Sequence, residues 1–242
     1  MFFVENIQSK EMPVIHHCPE DRPEKIWYKL VDLVLKNKNR INKPKDLTII
    51  TFNNTNKKML LEKNLDLLKV DYLVFGKEFK VWENPHKIKI LKKELPKIKT
   101  NFVLVLDAGD VVISNNIFDL LEKFKNENCA VLYNASSCKY PDENKYSSQE
   151  LKIEKGLFRH LNSGCFLGNT DYCCGLYQEA FDFEDEVTKK HNYSDQIKIK
   201  KFYTERHPEI RIDSKCKIFQ IWNTRCANIS CKDILRIKYK TF

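Results

Sequence analysis

Apolar runs and turn residues divide this chain into alternating strand and helix segments. Leu47 to Phe52 (LTIITF) and Phe102 to Leu106 (FVLVL) are continuous runs, rich in β-branched residues, of the length of strands buried on both faces. Between them come a polar turn at Asn53 to Asn56, helical spacing at Leu60, Leu61, Leu65 and Leu68, and a strand at Asp71 to Phe75. A helix over Asn84 to Ile98 then leads into the Phe102 strand. Upstream, Pro23 followed by apolar Ile26, Leu30, Leu33 and Val34 fits an amphipathic helix with Pro near its first turn. Downstream, the pattern predicts a helix from Asn116 to Lys125, a short strand from Ala130 to Tyr133 and a helix from Cys173 to Phe183. HLNSGCFLGNTDYC, apolar and punctuated by Gly, suits a strand whose backbone approaches a ligand closely. Residues 134–158, rich in Ser, Lys, Asn and Glu, read as a long loop, either a mobile functional flap or a plain surface insertion. Ile210 to Asp213 and KCKIFQIW are the last apolar segments. Strands alternating with helices imply an α/β fold with a mostly parallel central sheet and helices on both faces.

Length leaves open one large domain or two small ones. The net charge of +9 comes from Lys spread along the whole chain among many Asn and Ile residues. That mixture fits AT-rich coding bias as well as an anionic ligand such as a nucleotide. Zinc-finger spacing and an RNA-recognition aromatic motif are absent, so a nucleic-acid partner is not expected. Transmembrane segments are not expected either, because no window of about 18 apolar residues occurs. The opening MFFVENIQSKEM is too short in its apolar part for a signal peptide, and the compartment stays open. The nine Cys lack paired CxxC spacing and read as buried small hydrophobes or one or two disulfides.

Candidate chemistry begins where the Phe102 strand ends. Asp107 and Asp110 follow it, separated by Ala108 and Gly109. Open α/β sheets bind ligands at the carboxyl ends of their strands, so two carboxylates there can share a hard divalent cation. The alternative is a turn in which both Asp side chains cap backbone amides. His16 and His17 have no acidic or Cys partner at ligand spacing and read as surface residues. The chain has neither a GxGxxG nor a P-loop pattern, which disfavours ordinary dinucleotide and P-loop sites.

Five segments in order, HKIKILKKEL (86–95), LDAGDVVI (106–113), LNSGCFLG (161–168), SDQ (194–196) and IDSKCKIFQ (212–220), resemble the glycosyltransferase domain of procollagen lysyl hydroxylases. The resemblance implies a GT-A-type nucleotide-sugar transferase fold, with about 47–113 as the nucleotide-sugar half and about 114–242 as the acceptor half. Residues 1–46 would be an N-terminal extension of unclear role. It implies a collagen-like hydroxylysine acceptor, UDP-glucose or UDP-galactose as donor, and Mn²⁺ or another divalent cation. By position, Asp107 and Asp110 look like the metal pair, with Asp107 also on the donor side. Lys87 resembles a lysine at the UDP phosphates, Thr51 lies where the first strand meets the uridine, and Asp195 looks like the acceptor-side catalytic carboxylate. Asn162, Gly164 and Gln196 fall in the sugar pocket. A solvated Lys87 and a turn-closing Asn162 are the plainer readings beside these.

Two departures from the family pattern stand out. Gly109 occupies the place of an aromatic that stacks on uracil. The family's third metal ligand, a His in a His-Gly-Asn-Gly motif beyond the strand after KCKIFQ, has no counterpart, and His207 is the only His nearby. Either the chain is cut short or another group completes the site.

The expected chemistry uses few groups. A cation and Lys87 would offset charge on the departing UDP β-phosphate, and Asp195, followed by the cationic IKIKK stretch (197–201), would orient or deprotonate the acceptor hydroxyl. The leading expectation is glucose transfer from UDP-glucose to galactosyl-hydroxylysine. UDP-galactose-dependent transfer to hydroxylysine and a UDP-sugar-binding module without turnover are the alternatives.

Overall fold

The computed structural model describes residues 2–19, 23–37, 40–141 and 145–239. The chain opens with β1 (Phe2–Asn6), β2 (Ile15–His17) and α1 (Lys25–Lys36). The expected strand–helix alternation follows as β3 (Leu47–Phe52), α2 (Leu60–Leu68), β4 (Leu73–Phe75), α3 (Asn84–Glu94) and β5 (Phe102–Leu106). Next come β6 (Val111–Ile113), α4 (Leu120–Lys125), β7 (Val131–Ser136), α5 (Lys145–Ile153), β8 (His160–Asn169) and α6 (Thr170–Asp182). The remainder is α7 (Glu186–Lys190), α8 (Asp195–Glu205), β9 (Ile210–Ile212), β10 (Phe219–Ile221), α9 (Cys231–Ile234) and β11 (Leu235–Tyr239).

The main sheet has the order β4-β3-β5-β8-β7-β9. β3 pairs in parallel with β4 and β5, and β7 with β9, while β8 runs antiparallel to both of its neighbours. Alternation along β5 sends Val103 and Val105 into one core and Leu104 and Leu106 into the other. Burial on both faces is what the unbroken apolar runs of β3 and β5 anticipate, since neither face can carry polar residues.

Two smaller sheets complete the fold. β2 lies between β10, parallel to it, and β6, antiparallel to it. β1 and β11 form an antiparallel pair in which Phe2 faces Tyr239 and Asn6 faces Leu235. The three-stranded sheet β10-β2-β6 brings the N-terminal segment alongside the strand that follows the Asp107–Asp110 turn.

The expected flap over 134–158 is corrected by the structure. Residues 134–136 complete β7, and 145–153 form α5, whose Tyr146, Ser147 and Glu150 are buried; 142–144 lie outside the described residues. Polar composition misled here because α5 is held by charge. The Glu150 carboxylate accepts bonds from Lys200 Nζ (2.8 Å), His160 Nδ1 (3.0 Å) and the Leu161 N–H (2.8 Å), all buried. That cluster ties α5 to β8 and to α8.

Removing the cationic member of a buried ion pair leaves the carboxylate's charge buried without its main compensation. Lys200→Met is therefore expected to lower unfolding free energy by about 3–5 kcal/mol in urea denaturation. Glu150→Gln combined with Lys200→Met keeps an acceptor for the Leu161 N–H and should recover most of that loss. Equal losses in the single and double variants would show that charge stranding is not the cause.

Candidate active site

The turn from β5 to β6 is where the sheets meet. The Asp107 N–H donates to the Gly164 carbonyl of β8 (2.9 Å), and the Asp110 carbonyl accepts from the Cys18 N–H just after β2 (2.9 Å). His17 closes β2, and its carbonyl accepts from the Trp222 N–H (2.7 Å), so its backbone is held on both sides. Its Nε2 lies 3.2 Å from Asp110 Oδ2. One ligand atom each from His17, Asp107 and Asp110 falls within 4.8 Å of the others.

This grouping overturns the expectation that His16 and His17 lie on the surface. They are 0% and 2% exposed. Consecutive residues of a strand point to opposite sides, so the two have separate roles. His16 faces the core, where Nε2 contacts Ser114 Oγ (2.8 Å) and Nδ1 accepts from Trp222 Nε1 (3.2 Å). Burial pushes its pKa down to about 3. His17 faces the carboxylates. Sequence spacing could not reveal this, because its partners lie about 90 residues away (|i−j| = 93 for Asp110).

Gly164 makes the grouping possible. A Cβ there would sit 2.3 Å from His17 Cε1 and 2.8 Å from Asp107 Oδ2, so any larger residue would have to displace one of them. The donor set, one imidazole and two carboxylates, suits a divalent cation of the Mn²⁺ class.

Lys87, in the first turn of α3, is buried against these groups. Its Nζ donates to Asp107 Oδ1 (2.8 Å) and to the Ser163 carbonyl (2.7 Å), and it stands 3.8 Å from Asp195 Oδ2. Burial pushes the ammonium pKa down, but Asp107 and Asp195 outweigh it and the net shift is upward. Burial, with Asp110 alongside, pushes Asp107 up. Asp110 is also pushed up by burial, yet His17 beside it draws its pKa below the usual carboxylate value. Burial likewise disfavours charge on His17, but Asp110 and Cys165 raise its pKa well above 6.5. Asp107 keeps 38% of its side-chain surface open to the cavity, so water there tempers these interactions.

A cavity of about 510 Å³ gathers most of the expected site: Lys87, Asp107, Asp110, Asn162, Asp195 and Gln196, with Gly164 at its floor. Gln196 is a latch, its Oε1 accepting from the Ser163 N–H (3.2 Å) while its Nε2 donates to the Tyr140 carbonyl (2.8 Å). Asn162 Oδ1 accepts the Gly164 N–H (3.0 Å), the turn-closing contact of the plainer reading. Thr51 is the residue the structure leaves apart. It is fully buried, and its hydroxyl donates to the Leu106 carbonyl (2.8 Å) inside the sheet.

Positive charge beside Asp195 comes from Lys87, not from the IKIKK stretch (197–201). That stretch forms α8, in which Lys200 is spent on Glu150 and Lys198 donates to the Phe181 carbonyl (3.2 Å). His207 is elsewhere, edge-on to Tyr203. Residues that composition did not flag also line the cavity. Trp82, 36% exposed, packs over Gly76, whose φ of +98° lets the chain turn beneath the ring. The Cys138–Cys226 disulfide joins two stretches of the rim that are 88 residues apart.

A largely parallel α/β sheet that delivers an acidic pair, a lysine and a further carboxylate to one cavity defines a GT-A-like glycosyltransferase domain. Residues 43–236 match the family profile described as the PLOD GT domain, and the chain belongs to that family, the glycosyltransferase domain of procollagen lysyl hydroxylases. Among curated relatives it is 32% identical over 144 residues to the Rattus norvegicus procollagen-lysine,2-oxoglutarate 5-dioxygenase 1, covering 55% of this chain and 18% of that protein. It is 30% identical over 172 residues to the Mus musculus form, covering 63% of this chain and 21% of that protein. The Drosophila melanogaster procollagen-lysine,2-oxoglutarate 5-dioxygenase is 23% identical over 139 residues (55% and 18%). The match thus spans about a fifth of each relative's length.

Gly164→Ala is expected to lower stability by about 1–3 kcal/mol and to abolish divalent-cation binding, read by thermal unfolding and by calorimetric titration. Wild-type cation affinity in that variant would show that the three groups are not held together by Gly164.

In the cation-free protein, His17 titrates above its unfolded value of 6.5. The stability it contributes is full below pH 6.5 and is lost as pH rises through the raised folded pKa. A cation binding through Nε2 must displace that proton, so affinity should rise with pH over the same window. Titration calorimetry in buffers of different ionisation enthalpy should detect proton release. Its absence, together with unchanged affinity in His17→Ala, would remove His17 from the ligand set.

Proposed function

We propose that this chain transfers glucose from UDP-glucose to galactosyl-hydroxylysine of collagen or a collagen-like protein, with a divalent cation held by His17, Asp107 and Asp110. One observation carries the reading. In a member of this glycosyltransferase family, the three ligand groups, the ammonium of Lys87 and the carboxylate of Asp195 share one cavity. His17 takes the part of the third ligand that the family pattern places after KCKIFQ, where this sequence has no counterpart.

A bound cation supplies positive charge that offsets the charge gathering on the UDP leaving group. Lys87 adds a second, buried positive charge and aligns Asp107. Asp195 faces the cavity from the N-terminus of α8, where its carboxylate receives and orients the acceptor hydroxyl. Trp82 offers the ring that Gly109 lacks, so it is the platform for the uracil. Residues of about 47–113 serve the donor side and those of about 114–242 the acceptor side, with the N-terminal segment contributing His17.

A donor screen with UDP-glucose and UDP-galactose against bare and galactosylated hydroxylysine peptides tests the assignment. Transfer of galactose to bare hydroxylysine would replace the glucosyl reading, and UDP binding without UDP release would indicate a module without turnover. Asp195→Asn is expected to lower transfer about 10²- to 10⁴-fold while leaving UDP–Mn²⁺ affinity nearly unchanged. Asp110→Asn should weaken cation and donor binding first. An Asp195→Asn enzyme with the wild-type rate, or one that loses UDP–Mn²⁺ binding as severely as Asp110→Asn, would refute this division of roles.

A further inference from the structure

Asn134 stands directly behind His17 and is fully buried. Its Nδ2 lies 3.2 Å from His17 Nδ1, while its Oδ1 has no hydrogen-bond partner among the described residues. The strand is irregular at this point. The β7–β8 register shifts between Tyr133 and Asn134, and such bulges re-aim a side chain beside a site.

The oxygen and nitrogen of a carboxamide have nearly the same shape, so their placement is decided by the bonds they make. With Nδ2 against the imidazole, His17 Nδ1 has to accept, so the ring's one proton must stay on Nε2 and Nε2 has no lone pair to offer a cation between Asp107 and Asp110. A buried acceptor oxygen is also left without a donor, an arrangement folded proteins avoid. Turning the amide plane by half a revolution removes both conflicts. The Nδ1–H then donates to Oδ1, and Nε2 is left free to donate its proton to Asp110 while the site is empty and to offer its lone pair once a cation displaces that proton.

We propose that Asn134 is a positioning residue for the cation site, its carboxamide oxygen accepting the Nδ1–H of His17 and thereby fixing the imidazole as a ligand through Nε2. This rests on the reading of His17, Asp107 and Asp110 as the cation ligands. Ligating imidazoles elsewhere are held by an acceptor on the second nitrogen, and loss of that acceptor typically costs about 10- to 100-fold in metal affinity. The acceptor here is a neutral amide, which fixes the ring without adding a negative charge to a cavity that already holds Asp107, Asp110 and Asp195.

Two measurements test the proposal. Nitrogen-15 NMR of His17, without and with Mg²⁺, should show a proton on Nδ1 in both states. Calorimetric titration with Mn²⁺ should show about 10- to 100-fold weaker binding by Asn134→Leu. Asn134→Asp, whose carboxylate can only accept, should bind within a few-fold of wild type. Wild-type affinity in Asn134→Leu, or a His17 proton on Nε2 alone, would overturn the proposal. Should the Leu variant fail to fold, the Asp variant decides, since a loss of Mn²⁺ affinity of 10-fold or more in that protein overturns it as well. If the wild-type protein binds no Mn²⁺, the cation reading fails on its own, and the NMR still reports whether Nδ1 donates to Asn134.

Discussion

One buried ammonium sets the terms for this site. Lys87 Nζ lies within bonding distance of Asp107 and 3.8 Å from Asp195, so carboxylates from β5 and α8 are drawn together around a single positive charge. Carboxylates gathered in a cavity repel one another and lose hydration, and they stay ionised only if cations enter with them. Lys87 serves Asp107 and Asp195, and His17 serves Asp110. The packing around the site follows from that need. α3 must start close to the end of β5, β8 must pass near enough for Gly164 to leave room, and β2 must lie beside β6.

The parts of the fold that depend on local pattern were legible in the sequence. LTIITF and FVLVL read as strands buried on both faces, and the acidic turn after the second could be placed at a strand end. What escaped was long-range. Two adjacent His in PVIHHC carry no sign of their partners, because a three-residue strand is too short for alternation and the carboxylate contact spans 93 positions. The stretch from 134 to 158 looked like solvent-facing loop because its stabilising groups are charged, and composition cannot distinguish a solvated Glu from Glu150 enclosed by Lys200 and His160. Thr51 shows the opposite failure. Its position in β3 was read correctly, but whether its hydroxyl faces a ligand or a neighbouring carbonyl depends on strand pairing.

Cysteine usage shows the same division. Cys138 and Cys226 join across the cavity rim, whereas Cys18, Cys165, Cys173, Cys216 and Cys231 are buried, Cys165 beside His17. Burial raises the thiol pKa of Cys165, Cys173 and Cys216, which suits packing and not reactivity. No spacing rule singled out the joined pair, since the two positions meet only after β7 and β10 are in place.

The pairing of β1 with β11 gives the chain the connectivity of a ring. Phe2 lies opposite Tyr239 in an antiparallel ribbon, so the first and last described strands are neighbours, as the two arms of a hairpin would be. In a ring, "before" and "after" are conventions of where the cut is made. β2, which precedes every other element of the site in sequence, pairs in parallel with β10, the strand of the KCKIFQ segment, and the β11–β1 ribbon lies between the two along the ring. The imidazole of His17 therefore lies beside the strand of the KCKIFQ segment in space, although the two stand in opposite parts of the sequence. For such an architecture, motif order along the chain is a poor guide to motif order in space.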